Sequence, residues 1–246
     1  MRGLSNVYAV FRREFAAYFT TPLAYVFLVV FLALAGALTF YIGNFFEREQ
    51  ADLEPFFTFH PWLYLFLIPA ISMRLWAEER KTGTAELLLT LPISIPEAVI
   101  GKFLAAWAFT AVALALTFPI WISVNILGNP DNGVIASGYV GALIVAGAFL
   151  SVGSAMSAVT KNQVIAFVLG LAVCFLFAMA SYSVVTDFLS QNIPTLAAIA
   201  RRIAVIDRFH DFTRGVVSLR DLVFFASFIG FWLFVTAVLV ERNKAG

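Results

Sequence analysis

Long apolar runs dominate the chain, and short polar clusters separate them. Runs over 22–46, 56–76, 102–127, 138–159, 164–187 and 222–240 carry almost no charge away from their ends. About 20 apolar residues suffice for a helix to cross the hydrocarbon layer. The pattern predicts six membrane-spanning helices and an all-α polytopic protein. Ahead of the first run, Leu4, Val7, Tyr8, Phe11, Phe15, Tyr18 and Phe19 recur at helical spacing, with Ser5, Asn6, Arg12 and Arg13 off that stripe. This predicts an amphipathic elbow helix over 4–20 lying in the membrane interface. Thr21-Pro22 then reads as N-cap and first position of a spanning helix.

Two polar segments have structure of their own. In 77–97, Glu78, Glu79, Arg80 and Lys81 are four consecutive charges. Each would cost roughly 2.5–3.5 kcal/mol in hydrocarbon, so the chain leaves the membrane here. Thr82-Gly83-Thr84 supplies N-cap candidates, Glu86 falls in a first turn, Leu87, Leu88, Leu89 and Leu91 follow, and Pro92 stops the run. A short surface helix is predicted. Ser94-Ile95-Pro96-Glu97 reads as a capping box opening the next helix. The second segment, 190–221, keeps Leu196, Ile199, Ile203 and Ile206 at helical spacing. Pro194 starts it, Gly215 interrupts it, and Ser218 to Asp221 forms a capping box with Asp in place of Glu. Short helices packed on protein at the outer surface are predicted. In the fourth run, Gly147, Ser151, Ser154 and Ala158 share one face, where small side chains let another helix approach.

Composition and charge narrow the function classes. The chain of 246 residues is 61% hydrophobic and 13% charged, against about 25% charged in soluble domains. Its net charge of +1 argues for no nucleic-acid role. Arg2, Arg12, Arg13, Arg74, Arg80, Lys81, Lys102, Lys161, Arg242 and Lys244 gather on one side, which predicts that side, and both termini, to be cytoplasmic. Arg201, Arg202, Arg208, Arg214 and Arg220 break the rule on the outer side, where lipid phosphates or Asp207, Asp211 and Asp221 can meet them. Cys174, alone, reads as a small core hydrophobe. His60, beside Pro61 and Trp62, reads as an interfacial anchor, and no ligand spacing suggests a metal. The first apolar run is too long for the core of a cleavable signal peptide. No G-x-x-x-x-G-K-[ST] is present, so P-loop ATP hydrolysis is not expected of this chain, and no G-x-S-x-G or H-E-x-x-H occurs.

Residues Ala77 to Pro92, with Gly101-Lys102-Phe103, resemble the signature of ABC-2 type permeases, the membrane subunits of ATP-driven transporters. The run Ile206 to Leu222 resembles the C-terminal region of the gliding-motility-type (Gld) members. The resemblance implies the type V exporter-like architecture: elbow helix, six spans, coupling helix and short outer helices. It implies ATPase coupling through Glu78, Glu79, Arg80, Thr82, Gly83, Thr84, Glu86, Leu87, Leu88 and Pro92, and an outer gate near Phe209, His210, Phe212 and Gly215. His210 itself reads as a polar partner of neighbouring charges. Implied partners are two copies of an ABC ATPase, which would use ATP and Mg, a second copy of this permease or a related one, an auxiliary outer-face subunit, and membrane lipid. The chain itself is expected to bind no cofactor. The expected setting is the bacterial inner membrane and the expected activity is export. The alternative is a scaffold that relays ATPase motion to an outer partner and moves no solute.

Overall fold

A computed structural model describes residues 2–83 and 93–243. The described residues form helices joined by short connections, with no strand among them. The chain opens with α1 (Arg2–Thr20). Then come α2 (Pro22–Ala37, continued by a π-turn at Leu38–Ile42), α3 (Glu54–Ser72), α4 (Arg74–Thr82), α5 (Ile95–Ala115), α6 (Phe118–Leu127) and α7 (Asn132–Val159). The last five are α8 (Gln163–Met179), α9 (Ser183–Asn192), α10 (Pro194–Ile203), α11 (Val205–Thr213) and α12 (Leu219–Arg242). Among the described residues, Pro22–Ile42, Glu54–Thr82, Ile95–Leu127, Asn132–Val159 and Leu219–Arg242 are each long and apolar enough to cross a membrane. The bent pair α8 and α9 is together long and apolar enough for a sixth, broken crossing or a re-entrant loop. The protein is a multi-pass, all-α membrane protein.

Helix α7 is the centre of the bundle. Helices α3, α4, α5, α8, α11 and α12 all pack on it. Inside a membrane, helices gain no hydrophobic drive from meeting one another, so close contact of small residues has to hold them. Gly141, Gly147, Ser151, Gly153, Ser154, Ser157 and Ala158 of α7 are buried accordingly. At Gly153 an added Cβ would fall 2.7 Å from Cβ of Ser72 on α3. Helix α2, by contrast, buries only Ala24, Phe31 and Ala35 and shows the rest of its surface outward.

Three features depart from the sequence reading. The third span is not continuous: Pro119 lacks an N–H to donate, and the helix breaks at Leu116–Thr117 before restarting as α6. The fifth span, expected straight over 164–187, stops at Met179 and turns by 80° before Ser183. The turn is held from outside the span, because the Ser181 hydroxyl accepts the N–H groups of Ile206 and Asp207, at 3.1 and 3.3 Å, and so caps the start of α11. His60 is not an interfacial anchor but is fully buried. Its Nδ1 lies 2.7 Å from the Phe56 carbonyl, and its ring sits among Phe31, Phe56 and Tyr64, because it occupies the packed face of α3.

Candidate functional site

The charged segment after the second span is a helix that continues the span with one break. Pro69 deprives the end of α3 of a donor, and the helix restarts at Arg74 as α4. A restart leaves N–H groups without helical partners. Here Ser157 of α7 supplies them. Its hydroxyl accepts from the N–H groups of Trp76 and Ala77, both at 3.1 Å, and donates to the Met73 carbonyl at 2.8 Å. One turn away, the Trp76 indole donates to the Ser154 hydroxyl at 3.2 Å. At the far end of the seam, the Ala158 carbonyl accepts from the Arg80 guanidinium at 2.7 Å and from Asn243 at 3.0 Å. A cation at the last carbonyls of a helix also complements its dipole. Gly83, with φ of +73°, ends α4 in a left-handed turn that glycine accepts freely.

The opposite side of α4 meets α1 and α5 through a buried ion cluster. Lys102 of α5 is 2% exposed. Its Nζ lies 2.7 Å from Oε1 of Glu79 and 3.3 Å from Oε1 of Glu14, and 5.3 Å from the centre of the Trp76 ring. Arg13 pairs with Glu14 and reaches within 3.9 Å of Glu79. Burial alone would raise the Glu14 carboxyl, but Lys102 and Arg13 outweigh it and hold it below the usual carboxylate range. The rest of α1 is laid along α5. An added Cβ at Gly101 would fall 2.7 Å from the Val10 side chain, so the missing side chain is what admits the elbow helix. The Tyr18 and Phe109 rings stack at 4.7 Å. Asn6 donates to the Glu97 carboxylate at 3.1 Å, and the Ser94 N–H donates to the same group at 2.8 Å. The expected capping box therefore also anchors the elbow. Helix α4 is thus pinned to three other helices by charge and hydrogen bonds.

At the other end of the bundle, α11 docks on α7. Phe209 and Phe212 are buried, and an added Cβ at Gly141 would fall 2.5 Å from Cβ of Phe212. Ser137 of α7 donates to the Phe212 carbonyl at 2.7 Å. Gly215 has φ of +83° and closes α11, with the next N–H returning to the Asp211 carbonyl at 3.0 Å. Arg208 donates to Asp221 at 2.8 Å and lies 4.0 Å from the centre of the Phe224 ring. Ser218 and Asp221 bond reciprocally at the start of α12. His210 is exposed. Burial and the nearby Asp211 push the Asp207 carboxyl up, while His210 and Arg208 oppose that shift. Helices α9 and α10 pack mainly on each other and leave Val184, Phe188, Ile193, Leu196 and Ile199 outward.

Residues 8–240 match the profile of the ABC-2 family transporter proteins. The chain belongs to that family. No curated protein matches it. As an ABC-2 permease it is a membrane component of an ABC transporter and is not itself catalytic.

The permease brings some expected site residues together and not others. Glu79 and Arg80 lie at the two seams of α4, while Glu78 pairs with Arg74 one turn before it, at 3.4 Å. Thr82 and Gly83 end the helix. Thr84, Glu86, Leu87, Leu88 and Pro92 lie outside the described residues. Ser154 and Ala158 face α4, whereas Gly147 of the same stripe faces Trp107 of α5, with an added Cβ 2.9 Å from its indole nitrogen, and the Ser151 hydroxyl turns back to the Ala148 carbonyl. Sequence reasoning passed over Glu14 and Ser157, and took Lys102 only as part of the signature and as a charge of the cytoplasmic side. A signal existed for two of them: Glu14 is the only acid in the elbow helix, and Lys102 is the one base within the third span. Ser157 carries no such mark among the serines of α7.

Proposed function

We propose that this permease couples ATP hydrolysis in a separate ABC ATPase to movement of a substrate, with α4 and the segment beyond it as the point of engagement. The observation that carries this is the pinning of α4 to α1, α5 and α7 by the Glu79–Lys102–Glu14 cluster and the Ser157 hydroxyl. A push on α4 cannot then be absorbed locally. It reaches the central helix and the elbow together, as a two-state bundle requires. In this reading the α4 end is cytoplasmic, two copies of the chain meet two ATPases, and export is the direction. Docking of Phe209 and Phe212 on α7 makes α11 the element through which movement of α7 reaches the outer helices, with Gly215 as the hinge.

Replacing Leu88→Asp tests the engagement. It places a charge in the apolar run beyond α4 and is expected to dissociate or uncouple the ATPase while the permease stays inserted. A complex that purifies intact with normal permease-stimulated ATPase activity would overturn the reading. Solute-dependent change in that ATPase rate separates a transporter from a scaffold that only relays motion.

A further inference from the structure

A cavity of about 440 Å³ lies between the α1–α2 bend and the α3–α4 junction. Its wall is apolar, with Leu23, Val26, Phe27 and Val30 from α2 facing Leu67 and Ile71 from α3. Leu23, Val26 and Val30 remain 44%, 57% and 39% exposed, so this wall runs into the outward surface of α2. Its mouth is charged. Glu14, Glu79 and Lys102 are engaged with one another there. Arg74 and Glu78 are not drawn into that cluster. They lie side by side at 3.4 Å, with side chains 38% and 46% exposed, and both line the cavity.

We propose that this cavity holds one phospholipid with a primary-amine zwitterionic headgroup, taken from the leaflet on the α4 side. Its phosphate meets Arg74, its ammonium meets Glu78, and one acyl chain lies between α2 and α3. A polar mouth above an apolar wall matches the lipid's own order. The charge balance selects the headgroup. In the lining, Arg74 and Lys102 stand against Glu14, Glu78 and Glu79, with Arg13 paired to Glu14 beside it, so the mouth carries no net positive charge and offers an anionic lipid no net attraction. An adjacent cation and anion instead match a zwitterion group for group. The guanidinium fork suits phosphate oxygens, and a primary ammonium donates hydrogen bonds to a carboxylate, which a quaternary one cannot. This inference stands apart from ATPase coupling and is read by binding alone.

The test uses the full chain in nanodiscs of equal parts palmitoyl-oleoyl phosphatidylethanolamine and phosphatidylglycerol, moved to mild detergent and weighed by native mass spectrometry. One lipid per chain is expected to persist, with phosphatidylethanolamine favoured roughly tenfold, the equivalent of one charge-assisted hydrogen bond. Arg74→Gln with Glu78→Gln is expected to abolish the preference. Ala70→Phe, which fills the cavity from α3, is expected to remove the bound lipid while the protein melts as before. Retained lipid in the bulk proportion, or a preference that survives in both variants, would overturn the proposal. So would a disulfide between two copies through Leu23→Cys in a Cys174→Ala background, which would seat a second copy in the groove.

Discussion

Replacing Lys102→Met keeps most of the side-chain length and removes the charge between Glu79 and Glu14. Two carboxylates then face each other at the junction of α1, α4 and α5. Removing one partner of a buried pair costs about 3–5 kcal/mol, because the other charge is left uncompensated. Glu14 and Glu79 keep 19% and 18% side-chain exposure, and Arg13 stays within reach of both. The expected cost is therefore about 2–3 kcal/mol, below that range. At about 2–4 °C per kcal/mol for a chain of this size, Tm falls by roughly 5–10 °C. Cys174 is the sole cysteine and is fully buried on α8, so a thiol-reactive fluorogenic dye reads the melt directly. Adding Glu14→Gln and Glu79→Gln to Lys102→Met is expected to recover more than half of the loss, since the penalty comes from unpaired charge. The Glu14 carboxyl is held below its ordinary value of 4.5. Its stabilisation is therefore complete above that pH and is lost as the pH falls through the depressed value. Wild-type Tm should fall on the acid side, and Glu14→Gln should make that fall shallower. Two results would refute this account. One is a Lys102→Met melt within about 1 °C of wild type, a shift worth less than about half a kcal/mol. The other is a triple variant less stable than Lys102→Met.

Ser157→Ala leaves the Trp76 N–H unsatisfied in the seam and removes a second bond from the Ala77 N–H, and should cost about 2–3 kcal/mol. Ser154→Ala, which loses one indole hydrogen bond, should cost about 1 kcal/mol, and the reverse order in the same melt would contradict the seam. Gly215→Val forces a β-branched residue to φ of +83°, with Cγ2 of Val134 at 3.1 Å from the new Cβ. It should destabilise by about 1–2 kcal/mol or more and speed hydrogen exchange at the end of α11, whereas Gly215→Asn should be milder. In a Cys174→Ala background, Asn132→Cys should react with an impermeant thiol reagent from outside and Asn162→Cys should not. Equal labelling of the two would overturn a topology with both ends inside.

What was legible in the sequence is what neighbouring residues decide among themselves. Apolar length marks the candidate crossings, Ser94 with Glu97 and Ser218 with Asp221 mark helix starts, and Gly215 marks the interruption that ends α11, because each depends on atoms a few bonds away. The charges at 78–81 likewise mark the polar last turns of the helix that ends at Gly83. What only the tertiary structure decided involves groups that repair one element from another. Ser157 and Ser181 look like any serine in an apolar run, yet one closes the break before α4 and the other holds the bend that cuts the fifth span short. His60 beside Pro61 and Trp62 reads as interfacial because its neighbours in sequence are, but the face of α3 that carries it is packed. Glu14, Glu79 and Lys102 sit on three helices, and the nearer pair, Glu79 and Lys102, is 23 positions apart. No local pattern links them, because a buried charge is stabilised by whichever opposite charge the fold brings within a few ångström, and that is settled by how α1, α4 and α5 pack.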